Sequence, residues 1–237
     1  MTKRHGSELH PQALRLEERT RVRLSALADE LCTAGCEVTP AEATRGLCLL
    51  ALDLALGRAG ASLADVVRLA ASDPTPQGVH HALDALLWLL DLEPCTTPKL
   101  SEAHAAERSS ASKPARPDLH NQAIRLPQHS RDELKSLATE LRAAGTNVKA
   151  RKALRGLCLL ALEIAFCAAT KDLANAFRLA ARNPTAEGVQ RALEAVQSLL
   201  EGVPSTVPDP PILEDDAPTS PSPTSCPPST IPTSRAA

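Results

Sequence analysis

The chain has 237 residues, 43% of them apolar, enough to bury a real core in one or two domains. Aromatic residues make up only 1% (two Phe, one Trp, no Tyr), which argues against base-stacking single-stranded nucleic-acid modules and against sugar-binding clefts. The formal charge of −2 carries no global basic signature for nucleic acid or anionic membrane, and 20 Pro against 10 Gly points to punctuated helices plus a Pro-rich segment.

The stretch Met1 to His10 is charged and lacks the apolar core of a signal peptide. The longest apolar stretches are interrupted by Asp53 and Glu163, short of the ~18 residues of a membrane span. Seven Cys is an odd count without the spacing of a disulfide framework. The expectation is a cytoplasmic protein with reduced thiols and no membrane partner.

An internal repeat organises the chain. Leu9-His10 matches Leu119-His120, and Ala13-x-Arg15-Leu16 matches Ala123-x-Arg125-Leu126. Arg45 to Leu52 matches Arg155 to Leu162 residue for residue, Arg68 to Ala71 matches Arg178 to Ala181, and Pro74-Thr75 matches Pro184-Thr185. The offset is 110 throughout, and no gap is needed. Two homologous domains follow, 9–94 and 119–204. A polar flexible linker, 95–118, joins them. After Pro204 the composition turns to Pro, Ser and Thr with an acidic island at Glu214-Asp215-Asp216, so 205–237 reads as a disordered tail.

Each repeat opens on a short alternating segment. In the second, Ile124 and Leu126 share one side and Ala123 and Arg125 the other, as in a half-buried strand ending at Pro127. A helix follows, with Leu24, Leu27 and Leu31 on one face in the first repeat and Leu134, Leu137 and Leu141 in the second. Ser130 and Glu133 read as its capping box, and Gly35 and Gly145 stop it. His10 and His120 recur just before the strand, as caps or phosphate contacts. A second helix starts near Thr39 with Pro40 in its first turn. It runs through Leu47–Leu56, and its counterpart through Leu157–Phe166, apolar almost all round and therefore buried, with Cys48 and Cys158 acting as small hydrophobes. A third helix covers Leu63–Ala71 (Leu173–Ala181). Asp73-Pro74 and Asn183-Pro184 open a fourth, with Val79, Leu83, Leu86 and Leu90 on its face. The fold class is thus mainly α, two β-α-α-α-α repeats. A lone strand in each would leave its backbone groups unpaired, so the two strands are expected to form one antiparallel ribbon.

This pattern resembles the ribbon-helix-helix family of DNA-binding repressors and antitoxins, here as a tandem duplication, a single-chain pseudo-dimer. The stretches that carry the resemblance are Ala123 to Pro127, Gly145, Val148 and Arg155, and in the first repeat Ala13 to Glu17, Gly35 and Val38 to Arg45. It covers about 45 residues per repeat, and the later helices lie outside it. By that resemblance Pro11, Ala13 and Arg15, with Asn121, Ala123 and Arg125, face the major groove of double-stranded DNA, where Arg bonds guanine and Asn adenine. Thr39 and Lys149, at the start of the second helix, would sit on the phosphate backbone. The sequence departs from the pattern at Ala13 and Ala123, short where a reader is usual. It departs again at Gln12 and Gln122, where an apolar residue is expected, and at Glu17, which replaces a proline. The first helix also looks a few residues longer than usual. From Arg125 to Arg155 the second repeat carries eight Lys/Arg against three acids, whereas the first is near balance, which makes any DNA footprint lopsided.

The functional expectation is sequence-specific binding of duplex DNA by the ribbon, as a transcriptional regulator. The alternative is an all-helical interaction scaffold or an antitoxin-like protein whose partner engages the later helices or residues 205–237, with a homo-oligomer open in either case. Cys32 and Cys36 with His80 and His81 do not have zinc-finger spacing, and their counterparts are Arg142, Thr146, Gln190 and Arg191, so no metal is expected. Gly57 to Gly60 lacks the Lys-Ser/Thr of a phosphate loop, and no hydrolase motif is present; neither an enzyme nor a cofactor is expected.

Overall fold

The computed structural model describes residues 9–92 and 119–202; the expected linker and tail lie outside the described residues. The architecture is mainly helical with one two-stranded antiparallel sheet. In chain order it runs β1 (Leu9–Glu17), α1 (Glu18–Thr33), α2 (Pro40–Ala55), α3 (Ala61–Ser72) and α4 (Pro76–Leu89). Then come β2 (Leu119–Pro127), α5 (Gln128–Ala143), α6 (Ala150–Phe166), a 3-10 turn (Ala168–Thr170), α7 (Lys171–Arg182) and α8 (Ala186–Leu200). Among the described residues no single helix is long and apolar enough to cross a membrane.

β1 and β2 pair with each other, Ala13 opposite Ala123 at the centre. Alternation sends Leu14, Leu16, Ile124 and Leu126 into the core, where all four are buried. Each contributes about 1.5–3 kcal/mol by leaving water, which anchors a ribbon too small to be stable alone. His10 and His120 lie within the strands rather than ahead of them, and His120 Nε2 stands 3.5 Å from a Glu18 carboxylate oxygen.

Both strands run into their helices without a loop. This overturns the expected capping box at Ser130. The extended backbone of Pro127 (φ −57°, ψ 150°) serves as N-cap, so Ser130 falls inside the first turn and is buried, while Glu133 pairs with Arg58. The predicted leucine faces of α1 and α5 are buried. Both helices stop at a left-handed glycine. At Gly35 (φ 82°) the N–H of Cys36 reaches back to Leu31 O at 3.0 Å and that of Gly35 to Cys32 O at 3.0 Å, and Gly145 (φ 93°) closes α5 in the same way.

α2 starts at Pro40 behind the N-cap Thr39, as read. α4 and α8 start two residues later than expected. Thr75 and Thr185, not Asp73 and Asn183, accept from the N–H of Gly78 and Gly188, and the Asp73 carboxylate instead accepts from Thr75 N–H. The earlier residues are held in the turn that leads to the cap.

α2 and α6 lie at the centre of a single core and pack against each other. α2 also packs on α7, and α6 on α3, so each central helix is clasped by a helix from the other half of the chain. Glycines set how closely. A Cβ on Gly46 would stand 2.0 Å from Ala180 O, and one on Gly156 1.9 Å from Ala70 O. The strings Arg45–Leu52 and Arg178–Ala181 therefore form the two sides of one helix crossing. Arg68 and Arg178 bind these crossings together: their Nε atoms donate to the end carbonyls of Ala55 (2.8 Å) and Ala165 (3.0 Å). Cys48 and Cys158 are buried at the α2–α6 contact, as expected of small hydrophobes.

Candidate nucleic-acid interface

Burying one face of the ribbon leaves the other in solvent. Pro11, Ala13, Arg15, Asn121, Ala123 and Arg125 are all exposed on it. The register sets Arg15 opposite Asn121 and Arg125 opposite Pro11, with the two alanines between these pairs. Neither Arg15 nor Arg125 enters an ion pair among the described residues, so their guanidinium donors face water. The alanines keep the middle of this surface low, which lets a bulky ligand approach the backbone.

Contacts with distant segments explain two of the departures noted in the sequence. Gln122 points toward α2, and its Nε2 donates to Thr44 Oγ1 at 3.1 Å; that buried hydroxyl in turn donates to Pro40 O at 2.6 Å. A polar residue inside the ribbon thus completes a hydrogen-bond chain from β2 to the first turn of α2. Glu17, in place of a proline, accepts from Arg155 Nη2 at 3.0 Å and ties the end of β1 to α6. Comparison with the ribbon-helix-helix pattern marked both positions as departures, and the partners that account for them come from segments far away in the chain.

The two helix starts beside the ribbon differ. α2 packs on β2, and its N-terminus is closed by a capping box. Thr39 N–H and Oγ1 both donate to Glu42 Oε2, at 3.0 and 2.8 Å, and Glu42 N–H returns to Thr39 Oγ1 at 3.3 Å. These hydrogen bonds from the Thr39 backbone and side chain hold the Glu42 carboxyl below its ordinary pKa, so a negative charge sits at this end. α6 packs on β1. Lys149 is its N-cap and supplies no side-chain cap; Lys149, Arg151 and Lys152 are exposed and unpaired among the described residues.

A second polar group lies away from the ribbon. Arg58 bridges the carboxylates of Asp53 and Glu133, joining α2 to α5. Burial pushes the Asp53 carboxyl up to about 6 despite the nearby Arg58 charge. Arg23 pairs with Glu163 and lies over the Phe166 ring, 5.1 Å from its centroid. These contacts join segments of the fold. Among the described residues no group of three His, Cys, Asp or Glu is placed to hold a metal ion. Near the ends of α4 and α8 an apolar groove of about 270 Å³ is lined by Leu63, Leu86, Leu90, Leu199 and Leu200, and on α4 Trp88 stands 85% exposed.

Comparisons with protein-family models, with curated proteins and with solved structures each return no match.

Proposed function

We propose that the chain is a sequence-specific duplex-DNA-binding protein, a transcriptional regulator that inserts the β1–β2 ribbon into the major groove. In this reading its two halves are homologous β-α-α-α-α repeats forming a single-chain counterpart of a ribbon-helix-helix dimer. The observation that carries the proposal is the exposed ribbon face, with two arginines that enter no ion pair among the described residues and one asparagine around a low alanine centre. A two-stranded ribbon fits the major groove, Arg donates bidentately to guanine, Asn pairs with adenine, and Ala packs on a thymine methyl.

Binding to a pool of random-sequence duplexes, with sequencing of the retained DNA at two salt concentrations, tests this. The expected result is a short enriched motif that Arg15→Ala plus Arg125→Ala abolishes while the helical content stays unchanged. Weak, salt-labile retention with no enrichment would overturn it. A second reading, a helical scaffold for a protein partner, draws support from the apolar groove and exposed Trp88 at the far ends of α4 and α8.

A further inference from the structure

The ribbon has an approximate two-fold axis between Ala13 and Ala123, because that pair is central in the register. A protein with true two-fold symmetry presents the same groups to both halves of its site and reads a palindrome. Here the groups on the two sides differ. One side presents Arg15 beside Asn121, a guanidinium and a carboxamide. The other presents Arg125 beside Pro11, a guanidinium next to a ring with no donor. The flanks differ as well. The α2 start exposes Glu37 and holds the anionic Glu42, whereas the α6 start exposes Lys149, Arg151 and Lys152.

We propose that the duplex this chain takes is non-palindromic and bound in one orientation. The proposal rests on the DNA-binding reading above. On the Arg15–Asn121 side the site holds two specified bases, a guanine and an adenine. On the Arg125–Pro11 side only the guanine is specified. Phosphates beside α6 are held by three cations, and phosphates beside α2 face carboxylates. The footprint on the backbone is therefore heavier on one flank. A palindrome would gain nothing on its second half, since the groups that read the adenine occur once.

The test is selection from the random duplex pool with the full chain, followed by ethylation interference on the winning sequence. The expected motif is asymmetric. Asn121→Ala relaxes one adenine position by about 5- to 150-fold in discrimination and leaves the other half unchanged. Pro11→Asn adds the missing carboxamide and shifts the preferred motif toward a palindrome. Interference should cluster on one flank and vanish there in the Lys149→Ala, Arg151→Ala, Lys152→Ala variant. A palindromic motif from the unsubstituted chain, or equal interference on both flanks, would overturn the asymmetry while leaving DNA binding intact. No enriched motif at all would sink the DNA-binding reading and this inference with it. Because interference is read on the unsubstituted chain, poor folding of a variant does not rescue the proposal.

Discussion

Gly46 and Gly156 offer the sharpest test of how the helices are packed. Replacing glycine by alanine inside a helix ordinarily stabilises it by about 1 kcal/mol, through propensity and a less disordered unfolded chain. At Gly46 the added carbon would lie 2.0 Å from Ala180 O and 2.6 Å from its carbonyl carbon; at Gly156 the distances to Ala70 are 1.9 and 2.7 Å. Ordinary contact begins at about 3.4 Å, and the obstacles are backbone atoms that no rotamer change can move. The helices must separate by roughly an ångström or more, which opens the core on either side. Overpacking of this kind costs about 3 kcal/mol, at the upper end of the usual range. After the propensity gain is subtracted, each of Gly46→Ala and Gly156→Ala should destabilise by about 2 kcal/mol, a loss of roughly 4–8 °C in Tm for a chain of this size. Urea unfolding followed by far-UV circular dichroism measures this directly. Ala26→Gly, on the exposed face of α1, serves as control and should cost only about 1 kcal/mol. If either glycine variant matches or exceeds the parent in stability, the close crossing of α2 on α7 and α6 on α3 is wrong.

Asp53→Asn should change the pH dependence of stability. The folded carboxyl titrates at about 6 against an ordinary value of 3.8, so the folded state holds the proton more tightly and stability falls as pH rises between those values. The variant should lose that fall and exceed the parent by about 1–2 kcal/mol at pH 7, allowing for solvent screening; identical stability–pH curves would contradict the burial of Asp53. Thr39→Ala removes the capping box of α2 and should cost about 1 kcal/mol in the same unfolding assay. Gln122→Ala leaves the buried Thr44 hydroxyl without its side-chain donor and should cost about 1 kcal/mol, whereas Gln12→Ala, with no such partner among the described residues, should be close to neutral. Thiol labelling of the native protein, resolved by peptide mass spectrometry, should modify Cys32 rapidly and Cys48 only on unfolding. The hydrogen bond that the Cys48 thiol donates to Cys158, together with complete burial, holds that thiol well above its ordinary pKa.

Features set by near neighbours were legible in the sequence. Alternation around Ile124 and Leu126 gave the strand and its buried face, leucine spacing gave the faces of α1 and α5, and Thr39-Pro40 with Gly35 and Gly145 gave helix ends. The single strand in each half pointed to a ribbon, since unpaired backbone groups need partners. Where two local solutions competed, the sequence misled. Ser130 has the chemistry of a cap, but a strand that turns into a helix at Pro127 starts that helix at Gln128 and puts Ser130 inside its first turn rather than before it. Asp73 and Asn183 likewise lost to threonines two positions on. Contacts across the fold were invisible. Gly46 and Gly156 stood inside a repeated string, but nothing nearby announced that each faces a backbone carbonyl more than a hundred or some eighty residues away. Of the candidate interface, the exposed residues followed from the strand pattern; the juxtaposition of Arg15 with Asn121, and of Arg125 with Pro11, required the register.

The ribbon joins positions about a hundred residues apart along the chain, and closing a loop of that length costs about 4 kcal/mol of entropy before any strand contact is made. Helical turns form from neighbours in about a microsecond, without that penalty. Folding should therefore assemble the helices first and zip the strands last, once the α2–α7 and α6–α3 crossings have brought both halves together. During synthesis, no ribbon can exist until residue 127 has left the ribosome. The surface proposed to bind DNA is a product of the finished fold, and a chain that stalls or loosens partway presents none of it.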